Sequence, residues 1–143
     1  MIGIIISGHG NFGTGLQSSL KLIAGGPANV EYVDFLETDS TESLKEKYKI
    51  ALNNLNGCND ILALTDLAGG SPFKTLVELN TEVEQSIQVV GGTNLPMALE
   101  ITMTKDIIDD LSSLADSALE VGKSGVVKFE LIAHEEIECE DGI

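Results

Sequence analysis

One stretch, residues 2–13, constrains the fold of this chain more than any other, because an apolar run stops there at a histidine between two glycines. Residues 2–6 are apolar and mostly β-branched, which predicts a strand buried on both faces. Gly8 and Gly10 lack Cβ atoms on either side of His9, so the turn can be tight and another molecule can approach the imidazole. A helical pattern begins just after the turn, and the free N–H groups of its first turn are expected at the same place. The arrangement is typical of a histidine that handles an anionic group such as phosphate.

Strand-like and helix-like patterns alternate along the rest of the chain. The next predicted strands are residues 30–36, 60–66 and 86–90. Helical spacing of apolar residues predicts a helix after each strand, and a further helix from about residue 105 to residue 121. The alternation predicts an α/β fold with a three-layer, doubly wound and mainly parallel sheet. The expected strand order is 2-1-3-4.

Residues typical of helix starts mark two of the predicted boundaries. Asp39 and Glu42 have the spacing of a capping box before the second helix. Ser71 suits the N-cap of the third helix, and Pro72 suits its first position. For Ser71, contact with a bound phosphate is an equal alternative to capping.

The predicted strand order brings the two most reactive side chains to the same edge of the sheet. His9 follows strand one and Asp66 ends strand three, and the connections of these strands leave in opposite directions. Ligands of such sheets bind beyond the carboxyl ends of the strands at this switch point. A carboxylate on one ring nitrogen fixes the imidazole tautomer and stabilises the charge that develops when the other nitrogen attacks. We therefore expect Asp66 to orient a nucleophilic His9, with Asn94, which follows strand four, beside them.

The charge balance excludes one large class of partners. The 143 residues include 8 lysines and no arginine, and the formal net charge is −15. Because nucleic-acid binding needs a basic surface, no nucleic-acid partner is expected. A bound phosphoryl group would be held by backbone N–H groups, hydroxyls and helix ends instead of a guanidinium group.

No apolar run is long enough to span a bilayer, and no signal sequence is recognisable at the N-terminus. The expectation is a cytoplasmic protein with one domain, residues 1–133, followed by an acidic tail, residues 134–143.

Few residues suggest a metal site or a disulfide. Cys58 and Cys139 lack metal-ligand spacing and are expected to be reduced thiols. His134 lies among the glutamates of the tail, where a charged segment is usually solvated. We expect no metal and no cofactor.

Two alternatives share the α/β pattern. Residues 8–13 match the G-x-G-x-x-G fingerprint of dinucleotide-binding proteins, and Asp34 near the end of strand two matches its acidic residue. Against a dinucleotide, the bulky His9 lies where the backbone must meet the pyrophosphate, and the chain is short for two functional halves. A receiver-type aspartate needs an acidic cluster for Mg²⁺, and strand one ends without an acid. A non-covalent nucleotide- or phosphate-binding module therefore stays open beside a covalent histidine carrier.

Three segments of the chain stand out together: SGHGNFGTGL, TDLAGGSPF and GGTNLPMALE. In this order and at roughly this spacing, they resemble the mannose-type enzyme IIA family of the bacterial sugar phosphotransferase system. The resemblance covers essentially the whole chain. It implies a phosphoryl carrier that accepts its group from phospho-HPr and passes it to a cognate enzyme IIB, so that a sugar is phosphorylated during transport. It also implies that His9 is phosphorylated, that Asp66 supports it and that Ser71 lies beside the active site.

The resemblance also sets expectations about partners. Some family members continue into a IIB domain, whereas this sequence stops soon after its last predicted strand, so a separate IIB chain is expected. Contact with the membrane is expected only through the sugar permease subunits, which select the sugar. A related branch serves dihydroxyacetone kinase and has Ser-His-Ser where this chain has Gly-His-Gly, which disfavours that branch.

A last strand is predicted at residues 126–133, where apolar and polar residues alternate after a short break at residues 123–125. An unpaired strand edge invites pairing with another chain, and exchange of a terminal element is a low-cost route to a two-fold dimer. The family resemblance likewise implies a homodimer, in which this strand crosses to the partner's sheet and runs antiparallel to its neighbours.

Overall fold

A computed structural model describes residues 1–131 and shows a four-stranded parallel sheet with helices on both faces. The strands are β1 (Ile2–His9), β2 (Val30–Phe35), β3 (Asp60–Thr65) and β4 (Ser86–Val90). The helices are α1 (Phe12–Ala24), α2 (Thr41–Asn54), α3 (Ser71–Leu79), α4 (Leu95–Thr104) and α5 (Leu111–Ser124). The strand order is β2-β1-β3-β4, which confirms the predicted α/β fold and topology.

The central strand β1 is buried on both faces because each face of the sheet is covered by helices. Ile4 and Ile6 pack into one core layer with side chains of α1, α4 and α5. Ile5 packs into the other layer with side chains of α2 and α3. Since side chains alternate across a strand, Ser7 and His9 point toward the α2–α3 side. His9 therefore lies at the end of the core layer that α2 and α3 cover.

The start of α2 differs from its prediction by one residue. Ser40 is the N-cap, and a capping box joins it reciprocally to Ser43 instead of joining Asp39 to Glu42. Asp39 accepts a hydrogen bond of 2.6 Å from Lys47 Nζ. This hydrogen bond is the main reason why the pKa of Asp39 falls to about 2. The loop after β2 is thereby tied to α2.

The predicted start of α5 near residue 105 is wrong, because the helix begins at Leu111. Asp110 caps it by accepting a hydrogen bond of 2.9 Å from the Ser113 N–H. Ile107, which continues the apolar periodicity before the cap, is 81% exposed and lies outside the helix. The cap therefore sets the start of α5, although the helical spacing of apolar residues continues before it.

The C-terminus of α2 is capped by a side chain from the loop before β4. Gln85 Nε2 lies 3.3, 3.0 and 3.0 Å from the carbonyl oxygens of Leu52, Leu55 and Cys58. Replacing this donor by a carboxylate, Gln85→Glu, is expected to destabilise the fold by about 1–3 kcal/mol, because acceptors would then face acceptors. Urea unfolding monitored by circular dichroism measures the change.

Gln88 provides the matched control, because it is exposed on β4 and its side chain makes no hydrogen bond within the described residues. Gln88→Glu introduces the same charge and is expected to change the free energy of unfolding by less than about 0.5 kcal/mol. Equal effects of the two substitutions would show that Gln85 does not cap α2.

Residues 126–131 follow α5 and form no strand in the single chain. Their apolar side chains are 76% to 83% exposed; they are Val126, Val127, Phe129 and Leu131. The rest of the predicted exchanged strand, residues 132–133, and the acidic tail, residues 134–143, lie outside the described residues. Strand exchange and the domain boundary at residue 133 therefore stay predictions. Among residues 1–131, no helix combines the length and the apolar character needed to cross a bilayer.

Candidate active site

His9 is the last residue of β1, which is longer than the predicted residues 2–6. It pairs with Phe35 of β2, so the sheet fixes its backbone. Gly10 follows with φ of 59°, a left-handed conformation that favours glycine, and leads the chain into α1. The His9 side chain is 46% exposed at the carboxyl edge of the sheet. Its imidazole is therefore held rigidly and is still open to a partner.

Asp66 follows β3 directly and contacts the imidazole. Its Oδ2 accepts hydrogen bonds from the His9 backbone N–H and from His9 Nδ1–H, both at 2.8 Å. An ionised carboxylate only accepts hydrogen bonds, so the proton of the neutral ring is on Nδ1. Nε2 is left with a free lone pair.

The Asp66 carboxylate is ionised at neutral pH. Partial burial raises the pKa of Asp66, but the hydrogen bonds from the His9 backbone and ring outweigh burial and hold it below the ordinary value of 3.8. The second carboxylate oxygen, Oδ1, is buried and makes no hydrogen bond with the described residues. The side chain thus provides a fixed negative charge next to Nδ1.

Two glycines make the close packing of these groups possible. A Cβ at position 8 would lie 2.6 Å from Asp66 Cγ and 2.7 Å from Phe12 Cδ1, so Gly8 reserves the space that the carboxylate occupies. A Cβ at position 70 would lie 2.8 Å from His9 Cε1 and 3.6 Å from His9 Nε2. Gly70 therefore brings the backbone that precedes α3 against the edge of the ring that carries the lone pair.

The N-terminus of α3 is the open helix end at this site. Gly70 is its N-cap, so α3 begins at Ser71, one residue earlier than predicted, and Pro72 is its second residue. No side chain caps this end, and within residues 1–131 the N–H groups of Ser71 and Phe73 make no hydrogen bond. Free N–H groups and the helix dipole suit an anion bound beside His9.

At the N-terminus of α1, one of the N–H groups expected from the sequence to be free, that of Thr14, is taken by a carboxylate of the chain itself. The Thr14 N–H donates to Asp34 Oδ1 at 2.9 Å, and Thr14 Oγ donates to Asp34 Oδ2 at 2.6 Å. A Cβ at Gly13 would lie 3.0 Å from the same Oδ1. A carboxylate therefore already lies where a dinucleotide would place its pyrophosphate, which argues against that alternative.

Asn94 acts as the cap of α4. Its Oδ1 accepts a hydrogen bond of 3.1 Å from the Met97 N–H, and its Nδ2 donates to the Gly122 carbonyl at 2.9 Å. These bonds join the start of α4 to α5, and neither involves His9 or Asp66. The predicted place of Asn94 beside the reactive pair is supported by no hydrogen bond in the described chain.

Phe35 is a neighbour of His9 that the sequence does not single out. The two rings meet edge to face, with centroids 5.8 Å apart and an angle of 64° between the ring planes. The Phe35 carbonyl also accepts a hydrogen bond of 2.7 Å from the Gly10 N–H. The only sequence signal for this contact is the position of Phe35 at the end of the strand beside β1.

The described residues offer no ready metal site. Within residues 1–131, no three His, Cys, Asp or Glu side chains lie close enough together to hold a metal ion. Cys58 is buried, while Cys139 and His134 lie outside the described residues, so the predictions about them stay open.

The family model described as PTS system fructose IIA component, EIIA-man, matches residues 3–119. The chain belongs to this family. It is 32% identical over 127 residues to the PTS system fructose-specific EIIA component of Bacillus subtilis (strain 168), covering 85% of this chain and 86% of that relative. It is 33% identical over 125 residues to the PTS system mannose-specific EIIAB component of Escherichia coli (strain K12). That match covers 87% of this chain and only 38% of the EIIAB component.

Solved EIIA structures share the fold of this chain. The phosphotransferase system component EIIA from Streptococcus agalactiae superimposes with a TM-score of 0.81 at 33% identity, covering 90% of this chain and 97% of that one. The mannose/sorbose specific IIA subunit from Enterococcus faecalis gives a TM-score of 0.82 at 25% identity, covering 93% and 98%. The resemblance seen in the sequence is confirmed: the chain is a sugar PTS IIA component, a phosphotransferase component that works with other PTS components.

Proposed function

We propose that this EIIA-man protein is a cytoplasmic phosphoryl carrier in which His9 Nε2 accepts a phosphoryl group from phospho-HPr. The group then passes to a separate enzyme IIB and on to a sugar during its transport. The observation that carries the proposal is the double hydrogen bond from His9 to Asp66 Oδ2, which holds the proton on Nδ1 and leaves the Nε2 lone pair free. Family membership supports the same class of chemistry.

In the proposed transfer, the Nε2 lone pair attacks the phosphorus of the donor phosphohistidine. The P–N bond to the donor breaks as the new N–P bond forms, and its electron pair leaves with the donor imidazole. Because Nδ1 keeps its proton, the His9 ring becomes positively charged, and the Asp66 carboxylate balances this charge. When a nucleophile of enzyme IIB attacks the phosphorus, the electron pair returns to Nε2 and the ring is neutral again.

The phosphoryl oxygens need partners, and the chain has no arginine to supply them. We propose that the free N–H groups of Ser71 and Phe73, at the start of α3, hold these oxygens together with the Ser71 hydroxyl. A Cβ at position 70 would lie 3.6 Å from His9 Nε2, which supports a place for this helix end beside that nitrogen. Neutral donors and a helix dipole hold a phosphoryl group less tightly than an ion pair would, which suits a group that must be passed on.

The experiment that tests the proposal is incubation with phosphoenolpyruvate, enzyme I and HPr, followed by intact mass measurement. The expected product is a protein heavier by one phosphoryl group, with an acid-labile and alkali-stable bond. Omitting HPr should prevent the modification. An unmodified protein that instead binds a mononucleotide tightly would overturn the proposal in favour of a non-covalent module.

A homodimer with exchanged C-terminal strands is also proposed. The exposed apolar side chains of residues 126–131 and the position of β4 at the edge of the sheet formed by residues 1–131 support it. Sedimentation or light scattering at micromolar concentration should give twice the chain mass of 15.1 kDa. Truncation after Gly125 should yield a monomeric or aggregating protein. A stable dimer of the truncated chain would place the interface on the helices instead.

Gly70→Ala should impair transfer while the fold is kept. Gly70 has φ of −71° and ψ of 171°, which alanine adopts without strain, but the new methyl group would press on His9 Cε1. We expect the rate of transfer from phospho-HPr to fall about 10- to 100-fold, because small misplacements of a reacting atom have effects of this size. Rapid-quench measurement of the phosphorylated fraction gives the rate.

The neighbouring glycine is the matched control. Gly69 has φ of 78°, and the space that a methyl group would occupy there is free, so Gly69→Ala strains the backbone without contacting His9. It should cost about 1–2 kcal/mol of stability, and the folded protein should transfer at nearly the normal rate. The opposite pattern, a slow Gly69→Ala and a normal Gly70→Ala, would refute the packing argument.

A further inference from the structure

Two hydroxyl groups are buried beneath the site in an otherwise apolar layer. Ser7 Oγ and Tyr48 OH are 2.7 Å apart, and both residues are fully buried. The Tyr48 hydroxyl also donates a longer hydrogen bond, of 3.4 Å, to the Pro72 carbonyl. A phenol has one proton, so Ser7 donates to the Tyr48 oxygen when Tyr48 donates to Pro72. Burial raises the pKa of Tyr48 above its usual range, so the phenol keeps its proton at neutral pH.

This pair is not needed to fill the core. A phenylalanine and an alanine would occupy nearly the same space, and replacing both partners of a buried hydrogen bond by apolar groups is often neutral for stability. A fully satisfied buried polar link does fix the relative position of the elements that it joins. The question is therefore which elements these hydroxyls hold together.

Tyr48 joins the two elements that meet at the imidazole. Ser7 precedes His9 by two residues on β1, so the two side chains leave the strand on the same face. Pro72 is the second residue of α3 and lies two residues after Gly70, where a Cβ would meet the His9 ring. The hydrogen bonds of Tyr48 therefore run from the strand that carries the nucleophile to the helix end that faces it.

We infer that Tyr48 is a positioning residue for phosphoryl transfer, whose hydroxyl, held by Ser7, sets the distance between His9 Nε2 and the N-terminus of α3. The inference rests on the proposed function, because the positioned atom is the one that takes the phosphoryl group. Tyr48 touches neither the phosphoryl group nor HPr, since it is fully buried. Its effect must pass through the placement of β1 and α3.

The test is the kinetics of transfer from phospho-HPr to Tyr48→Phe, which keeps the ring and removes the hydroxyl. We expect kcat to fall about tenfold to a hundredfold, because the reacting nitrogen is no longer held at its place. KM for phospho-HPr should be unchanged, because the docking surface is untouched. The ¹⁵N chemical shifts of the His9 ring should also be unchanged, because Asp66 still holds the tautomer. The chain's other tyrosine gives the control: Tyr32→Phe on β2 should transfer at the wild-type rate.

A second variant separates positioning from stability. In Ser7→Ala/Tyr48→Phe the unpaired hydroxyl left by either single change is gone, so stability should return toward the wild-type value. We expect kcat to stay as low as in Tyr48→Phe, because the link between β1 and α3 is still missing. A kcat that recovers together with stability, or a Tyr48→Phe protein with wild-type kcat, would overturn the inference. A wild-type protein that takes up no phosphoryl group would instead refute the proposed function itself.

Discussion

His9→Ala is expected to take up no phosphoryl group from phospho-HPr, whereas the wild-type protein is fully labelled. The imidazole is the only nitrogen nucleophile that the described residues place between Asp66 and the N-terminus of α3. Its loss removes the atom to which phosphorus would bond, so the effect is complete rather than partial. Intact mass measurement after incubation with phosphoenolpyruvate, enzyme I and HPr gives the result directly.

The chain's second histidine provides a matched control for the loss of an imidazole. His134→Ala also removes one imidazole and should be labelled like the wild type. The fold of His9→Ala should be kept, because the side chain is 46% exposed and the backbone N–H of residue 9 still bonds to Asp66 Oδ2. Full labelling of His9→Ala, or loss of labelling in His134→Ala, would move the phosphorylation site away from the switch point.

The features of the fold that follow from local pattern could be predicted from the sequence. β3 and β4 each lead into a glycine-containing turn, and right-handed crossovers leave few possible strand orders. Where the sequence-based prediction is wrong, a tertiary contact or a helix cap determines where the element begins or ends. The start of α5 is set by Asp110 and not by apolar spacing. β1 extends to His9 because it pairs with β2 as far as His9 and Phe35, two residues beyond its last pair with β3.

Some contacts of the candidate site could likewise be predicted from the sequence, and others could not. The pairing of His9 with Asp66 could be expected, because the switch-point rule places the ends of these two strands side by side. The hydrogen bonds between Thr14 and Asp34 could not, since these residues are twenty positions apart in the sequence. The link between Ser7 and Tyr48 joins residues 41 positions apart and leaves no local pattern. Long-range contacts between polar side chains to which the switch-point rule does not apply are seen only in the assembled fold.

Asp66→Asn is expected to slow phosphoryl transfer in both directions, by about 10²- to 10⁴-fold. The amide oxygen can still accept the hydrogen bonds from His9 N–H and Nδ1–H, but the negative charge that balances the developing imidazolium is gone. The amide NH₂ would then replace the buried Oδ1, where the described residues offer no hydrogen-bond partner. Turning the amide round would instead put a donor against the His9 N–H and favour the wrong tautomer. Rapid-quench kinetics with phospho-HPr and with enzyme IIB measures the two rates.

The same substitution has a signature in the pH dependence of stability. The pKa of Asp66 is lower in the folded protein than the ordinary 3.8, so the ionised carboxylate stabilises the fold fully above that value. This contribution is lost as pH falls through the lower folded-state pKa. The difference in unfolding free energy between wild type and Asp66→Asn should therefore be largest at neutral pH and shrink below about pH 4. Urea unfolding at pH 7 and pH 3 measures it, with Asp116→Asn, an exposed carboxylate on α5, as the control. Unchanged transfer rates together with a pH-independent difference would show that Asp66 only fills space beside His9.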